Sequence, residues 1–225
     1  MTNPIYVALD TPELAQATAL AKSLAPYVGG FKLGLEFFMA QGPAGVRAMA
    51  DLGRPIFLDM KLHDIPNTVA GAIRSLAALD MAIVNVHAAG GRAMMEAARA
   101  AAPAQCKVIA VTVLTSLEAS DLQQCGVGDG PAAQVARLAE LTRAAGLDGI
   151  VCSAHEVAAR RAAWPDALFV VPGIRPAGSD VGDQKRVMTP KEALQAGAGI
   201  LVIGRPITAA ADPAQAAADI VASLA

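Results

Sequence analysis

Ile56-Phe57-Leu58-Asp59-Met60-Lys61-Leu62-His63-Asp64-Ile65-Pro66-Asn67-Thr68 opens as an apolar strand-like run and then packs two aspartates and a lysine into six positions. A strand repeats its facing every two residues, so Asp59 and Lys61 are predicted to point to one side. If that side is the interior of a barrel, an anion and a cation share a poorly solvated space, with Asp64 just beyond the strand end. Charges are rarely placed there without an ion partner or a chemical task. The stretch already points to an enzyme.

Outward from it, short runs rich in Val, Ile, Leu and Phe alternate with longer Ala-rich stretches of helical period. Strands are predicted at Ile5–Asp10, Gly30–Gly34, Pro55–Lys61, Met81–His87, Lys107–Thr115, Gly149–Ser153, Leu168–Ile174 and Gly199–Gly204. Helices are predicted between them at Pro12–Ala25, Glu36–Leu52, Asn67–Leu79, Arg92–Ala101, Pro131–Ala145, Glu156–Ala163 and Pro190–Ala196, with Pro213–Leu224 last. Asp10/Thr11 before Pro12 and Thr189 before Pro190 carry capping logic, because Pro fits the first helical turn. Gly53, Gly146 and Gly197 read as helix stops.

Eight strand-then-helix units in 225 residues match a single (β/α)8 TIM barrel spanning residues 1–225, near the lower size limit of that fold. A doubly wound open sheet also alternates strands and helices. The first strand-to-helix turn, Leu9-Asp10-Thr11-Pro12, lacks the glycine-rich dinucleotide fingerprint, which weighs against it. No linker or low-complexity tract interrupts the alternation.

The composition narrows the function classes. Lys plus Arg number 18 against 20 Asp plus Glu, for a formal charge of −2. The pI is near 5.9. No basic surplus points to nucleic acid or to an anionic membrane. Apolar stretches are strand-length and interrupted, so no spanning helix is expected. The start, Met1-Thr2-Asn3-Pro4, does not read as a secretory signal. Cys106, Cys125 and Cys152 have no metal-ligand or redox spacing, which fits core packing in a reducing cytoplasm.

In such barrels the active site lies at the carboxyl ends of the strands. Those ends carry Asp10, Lys32, Asp59 with Lys61, Asn85-Val86-His87, Thr115, Ser153, Pro172-Gly173-Ile174-Arg175 and Gly204-Arg205. The last two groups have the character of a phosphate site: glycines let backbone N–H groups approach an anion, and Arg175 or Arg205 supplies a fork of donors. Lys32, Asp59, Lys61 and Asp64 alternate in sign, so each charge offsets the desolvation of its neighbours. Two lysines aimed into one cavity also suit an anionic substrate. Asp59 and Asp64 raise the question of a metal, but the neighbouring lysines would repel a divalent cation, so none is expected. The Gly-rich, polar segment from Arg175 to Met188 reads as a lid, with Gln184 placed to reach a phosphate on closure. His87 either lines the site or packs beside it; His63 shapes the loop, and His155 begins a helix. Met94-Met95 and Trp164 read as packing, and Ser153 lacks the partners of a hydrolase triad.

On these residues the chain resembles the orotidine 5′-phosphate decarboxylase family, in its short bacterial form, over essentially its whole length. The carriers are Val7–Asp10, Phe31–Gly34, Phe57–Thr68, Val84–Ala88, Val113–Ser116, Val171–Pro176, Asp183-Gln184 and Ile203–Pro206. Asp59-x-Lys61-x-x-Asp64 alone is shared with related sugar-phosphate decarboxylases; the run through Thr68, plus Lys32, is more specific. The resemblance implies cofactor-free, metal-free loss of carbon dioxide from orotidine 5′-monophosphate, giving uridine 5′-monophosphate in pyrimidine synthesis. It implies that Lys32, Asp59, Lys61 and Asp64 form the catalytic network, with Lys61 the proton donor to carbon six. Asp59 would lie near the substrate carboxylate, and Asp10 and Lys32 would hold the ribose hydroxyls. Gln184, Arg205 and the Gly204 backbone would clamp the phosphate beside Arg175, and Thr115 would lie near the pyrimidine. It also implies a homodimer in which Asp64 and Thr68 reach into the partner's site.

Two rival readings stay open at this point. One is a related barrel enzyme acting on an open-chain sugar phosphate with magnesium; that group is acidic at the strand-two position, so Lys32 argues against it. The other is a non-catalytic nucleotide binder, which has no need of buried opposed charges.

Overall fold

The computed structural model describes residues 3–176 and 188–224. Eight strands, β1 (Ile5–Ala8), β2 (Gly30–Leu33), β3 (Ile56–Leu62), β4 (Ile83–His87), β5 (Lys107–Val111), β6 (Gly149–Val151), β7 (Leu168–Val171) and β8 (Ile200–Ile203), pair in chain order. Every pairing is parallel, and Ile5 lies opposite Leu201 where β8 returns to β1 and closes the barrel.

Alternation along each strand divides the core into two compartments. Ile5, Val7, Phe31, Leu33, Leu58, Val84, Val108, Ile150, Phe169 and Leu201 face outward into the layer of helices. Tyr6, Ala8, Phe57, Ile83, Ile109, Val170, Ile200 and Val202 form a second cluster. They occupy the opposite phase of the same strands and fill the barrel interior. Gly30 lies opposite Tyr6, and a Cβ at Gly30 would come within 2.4 Å of the tyrosine ring.

The outer ring consists of α1 (Leu14–Leu24), α2 (Leu35–Ala50), α3 (Pro66–Leu76), α4 (Arg92–Ala101), α5 (Ala119–Gln124), α6 (Gly130–Ala144), α7 (Ala154–Ala163), α8 (Pro190–Gln195), α9 (Arg205–Thr208) and α10 (Pro213–Ala222). Helix α3 shows the logic: Pro66 sits in the first turn, and Val69, Ala70, Ile73 and Leu76 make its buried stripe. At α8, Thr189 and Glu192 form a reciprocal capping box, as the Thr189-Pro190 pair predicts. Gly146 and Gly197 adopt φ of 72° and 105°, the left-handed stops expected of them. Among the described residues no helix is long and apolar enough to cross a membrane.

Several boundaries differ from the sequence reading. Helix α1 begins at Leu14 rather than Pro12, because the Thr11 hydroxyl accepts the Glu13 N–H and spends its capping capacity on the turn before the helix. Helix α2 is broken at Gly42 (φ 58°, ψ −161°), ahead of Pro43. Strand β5 stops at Val111, four residues short of Thr115, and β7 stops at Val171. Pro172 has no N–H to donate, and Gly173 turns away at φ 73°. Helices α5 and α9 were not predicted; both are too short to show an apolar period. Cys106 and Cys152 are core residues, but Cys125 is exposed at the end of α5, outside the packing role expected of all three.

At the pairing of β6 with β7, Gly149 lies opposite Leu168. A Cβ on Gly149 would stand 2.0 Å from the carbonyl oxygen of Leu168. Gly149→Ala is therefore expected to lower the unfolding free energy by about 3 kcal/mol. A urea unfolding midpoint indistinguishable from the parent's would show that the two strands separate at no cost.

Candidate active site

The strands' carboxyl ends enclose a cavity of about 440 Å³. Ala8, Phe57, Val151, Val170 and Val202 supply its apolar wall. Asp10, Lys32, Asp59 and Lys61 line it from β1 to β3, while Pro172, Gly173, Arg175, Gly204 and Arg205 line it from the ends of β7 and β8. Glu36, near the start of α2, also reaches this wall.

Four of the charges form one unbroken row. Lys32 Nζ lies 2.8 Å from Asp10 Oδ1 and 3.3 Å from Asp59 Oδ2, and Lys61 Nζ lies 2.7 Å from Asp59 Oδ1. Exposure rises towards the two ends: the Lys32 and Asp59 side chains are 9% and 10% exposed, Lys61 30% and Asp10 48%. Burial opposes the charge on Asp59, but Lys32 and Lys61, with a hydrogen bond from Asn85, hold its pKa below the ordinary carboxylate value. Burial likewise opposes the charge on Lys32, and Asp59 and Asp10 more than offset it, raising its pKa. The anion and the cation at the buried centre of the row thus stay ionised with little water between them. The row also needs Gly34, because a Cβ there would come within 2.8 Å of both Asp10 Oδ1 and Lys32 Nζ.

The contact between Asp59 and Lys61 is not a product of strand alternation alone. Lys61 has φ 50°, a left-handed conformation that costs a non-glycine residue about 1–3 kcal/mol. The β3–β4 ladder shifts register there, between Leu58 and Leu62. Asn85, wholly buried in β4, spans the irregularity: its Nδ2 donates to Asp59 Oδ1 and its Oδ1 accepts the Lys61 N–H, each at 2.7 Å. The sequence reading places Asn85 at a strand end without giving it a role, and it does not single out Glu36. A polar residue of interior phase inside the apolar run Ile83–His87 is the signal that marks Asn85.

Other predicted residues sit elsewhere. Asp64 is exposed, and its Oδ1 accepts the Ile65 N–H at 2.7 Å rather than joining the row. It borders a separate surface recess with His63, Ile65, Pro66, Ala89 and Gly90. Thr68 is exposed in the first turn of α3. Thr115 is buried in the loop after β5, outside the cavity wall. The Arg175 N–H donates to the Met188 carbonyl at 3.0 Å, which joins the two ends of the intervening segment; Gln184 and the body of the predicted lid lie outside the described residues. The His63 and His87 rings face each other with centroids 5.6 Å apart. Burial, then His63 and Lys61, push the His87 imidazole below its usual pKa. Ser153 caps α7, accepting the His155 N–H, which accounts for it without chemistry.

A closed parallel barrel with buried opposed charges at the carboxyl ends of its strands defines the class as a (β/α)8-barrel enzyme. Among known proteins, the chain is 60% identical over 224 residues, the full length of both, to the orotidine 5′-phosphate decarboxylase of Sphingopyxis alaskensis. It is 59% identical, again over both full lengths, to that of Novosphingobium aromaticivorans. The crystal structure of orotidine 5′-phosphate decarboxylase from Lactobacillus acidophilus superposes with a TM-score of 0.85 at 37% identity, covering 99% of each chain. Residues 3–220 match the Orotidine 5′-phosphate decarboxylase / HUMPS family, and the chain belongs to it.

The electrostatics of the row carry a stability signature. Because the folded pKa of Asp59 lies below its unfolded value, its charge stabilises the fold above the unfolded pKa, about 3.9. That contribution is lost as pH falls through the folded pKa. Asp59→Asn should therefore be less stable than the parent at neutral pH, and the gap should close as the solution is acidified below about pH 4. Chemical denaturation across that range reads this directly, and a gap independent of pH would mean that Asp59 gains nothing from its lysines.

Proposed function

We propose that this chain converts orotidine 5′-monophosphate to uridine 5′-monophosphate and carbon dioxide, with no metal or organic cofactor. The observation that carries the reading is the row Asp10–Lys32–Asp59–Lys61 along one wall of the cavity, in a chain of this family. In the reaction the bond between carbon six and the carboxylate breaks and its electron pair stays on carbon six. The ring offers that pair no delocalised sink, so a fixed cation at the carbon is the main stabilisation a protein can supply. Lys61 is the more accessible of the row's two lysines and is held by Asp59 at 2.7 Å. In this reading its ammonium sits beside the carbanion and gives it a proton, leaving uridine 5′-monophosphate and a neutral amine that regains its proton from water. Asp59 faces the departing carboxylate, while Asp10 and Lys32 hold the ribose hydroxyls.

The same cavity offers a phosphate end. Gly173 and Arg175 follow β7, and Gly204 and Arg205 follow β8 at the start of the short helix α9, an arrangement that barrels use for phosphate. Binding energy from this remote group can drive closure and force the reacting carbon against the charges. Gln184 joins the clamp and Thr115 the pyrimidine end in this assignment. We further infer that two copies pair through the face carrying Asp64 and Thr68. Support comes from Ile65, a large apolar residue 67% exposed in the same stretch as the exposed Asp64 and Thr68. Asp64 and Thr68 then complete the partner's site. A barrel running from Ile5 to Ile203, with α10 packed on α1, supports reading the whole chain as one catalytic domain, and the sparse, odd count of three cysteines supports a reducing, cytoplasmic setting.

Purified protein in excess EDTA should deplete orotidine 5′-monophosphate, followed by ultraviolet absorbance, with uridine 5′-monophosphate as product. Silence in EDTA with magnesium-dependent activity on a keto-sugar phosphate would transfer the chain to the sugar-phosphate branch. Lys61→Ala should lower kcat by about 10³-fold or more, and Arg205→Ala should act mainly on KM. Near-parental kcat in Lys61→Ala would remove Lys61 from the proton-donor role.

A further inference from the structure

We propose that Asn85 is a positioning residue for this decarboxylation: its carboxamide sets the orientation of the Asp59 carboxylate and holds the backbone turn at Lys61 that delivers the ammonium to the cavity. The inference rests on the functional reading given above.

Three features of the structure converge on it. First, β3 advances from Leu58 to Leu62 while β4 advances only from Val84 to Val86, so Asn85 is the β4 residue that faces the surplus chain. A bulge of this kind leaves backbone groups without ladder partners. The Lys61 N–H finds its partner in the Asn85 side chain at 2.7 Å, where Lys61 is held at φ 50°. Second, Asn85 is wholly buried, with Val84 and Val86 on either side turned into the helix layer. A buried amide is costly unless its polar atoms are bonded, so packing alone would favour an apolar residue here. Third, the two contacts require opposite chemistry: a carboxylate needs a donor and an N–H needs an acceptor. The amide has one of each, so its orientation is dictated, and it reads Asp59 and Lys61 simultaneously.

The consequence is geometric. Asp59 Oδ1 receives two donors at 2.7 Å, Lys61 Nζ and Asn85 Nδ2. Without the amide, the carboxylate rotates about its own axis and the turn at Lys61 relaxes. Both ends of the bridge to the ammonium then lose their anchor.

The test compares Asn85→Leu with Asn85→Asp, after the parent is assayed with orotidine 5′-monophosphate. Asn85→Leu keeps the branched shape and the number of heavy atoms and removes both bonds; kcat should fall about 100-fold with KM changed less than about threefold. Asn85→Asp keeps the acceptor for the Lys61 N–H but turns the donor into a second carboxylate. Its surroundings are Asp59 and Lys61 in direct contact, with Lys32 and His87 beyond. Adjacent carboxylates raise each other's pKa, and the introduced carboxyl group, once protonated, donates to Asp59 again. The deficit of Asn85→Asp relative to the parent should therefore shrink as pH is lowered from about 8 to about 6, while that of Asn85→Leu stays constant. A merely structural role predicts no such divergence. Where Asn85→Leu gives no cooperative thermal transition, the near-isosteric Asn85→Asp decides alone. Folded variants with kcat within about threefold of the parent, or a deficit in Asn85→Asp that ignores pH, would overturn the inference. A parent inactive on orotidine 5′-monophosphate would instead overturn the functional reading.

Discussion

The carboxylate of Asp59 is an anion inside a barrel, and most of what surrounds it follows from the need to keep it charged there. Lys32 and Lys61 approach from opposite sides at 3.3 and 2.7 Å, and Asn85 adds a neutral donor at 2.7 Å. A second anion, Asp10, then balances Lys32 from the solvent side. Each addition compensates a desolvation cost created by the previous one, until the row reaches water at Asp10 and the cavity at Lys61. Gly34 is part of the same constraint, since any side chain there would intrude on the Asp10–Lys32 pair.

This row divides the barrel along its axis. Towards the amino ends of the strands the interior is apolar, filled by Tyr6, Ile83, Ile109 and Ile200. At the very base, Asp148 is tied to Arg99 and Lys107, and it accepts the Val108 N–H. That cluster fastens α4, β5 and the start of β6, and it borders no cavity wall of the mouth. The apolar interior provides the rigid, low-dielectric floor on which opposed charges interact strongly. The proposed chemistry uses that situation: charges already fixed need not reorganise when a carbanion forms. The proposed phosphate end lies on β7 and β8, next to β1 in the closed barrel, so a single small substrate can span both halves of the mouth.

Much of this was legible in the chain. Alternating strand and helix periods produce the barrel, and the charged residues at strand ends produce Asp10, Lys32, Asp59, Lys61, Gly204 and Arg205 as wall residues. What escaped did so for separate physical reasons. The role of Asn85 is hidden inside an apolar strand, because it comes from a register shift in a neighbouring strand that no local pattern records. Helix α9 is a single turn, too short for periodicity. Thr115 was read as a strand end, whereas β5 ends earlier and Thr115 is buried in the loop that follows.

The sequence by itself determined the compartments: which strand faces are apolar, where helices stop, and which charges reach the carboxyl ends of the strands. Those depend on side-chain period and on the conformational limits of Pro and Gly, which are local properties. Only the tertiary structure decided which charges touch. Contact between Asp59 and Lys61 depends on a left-handed residue braced by Asn85 from the neighbouring strand, and the separation of Asp64 from the row depends on the turn in which it bonds the Ile65 N–H. Distances of a few ångströms between groups far apart in sequence are set by strand register and barrel closure, and a linear pattern carries no information about either.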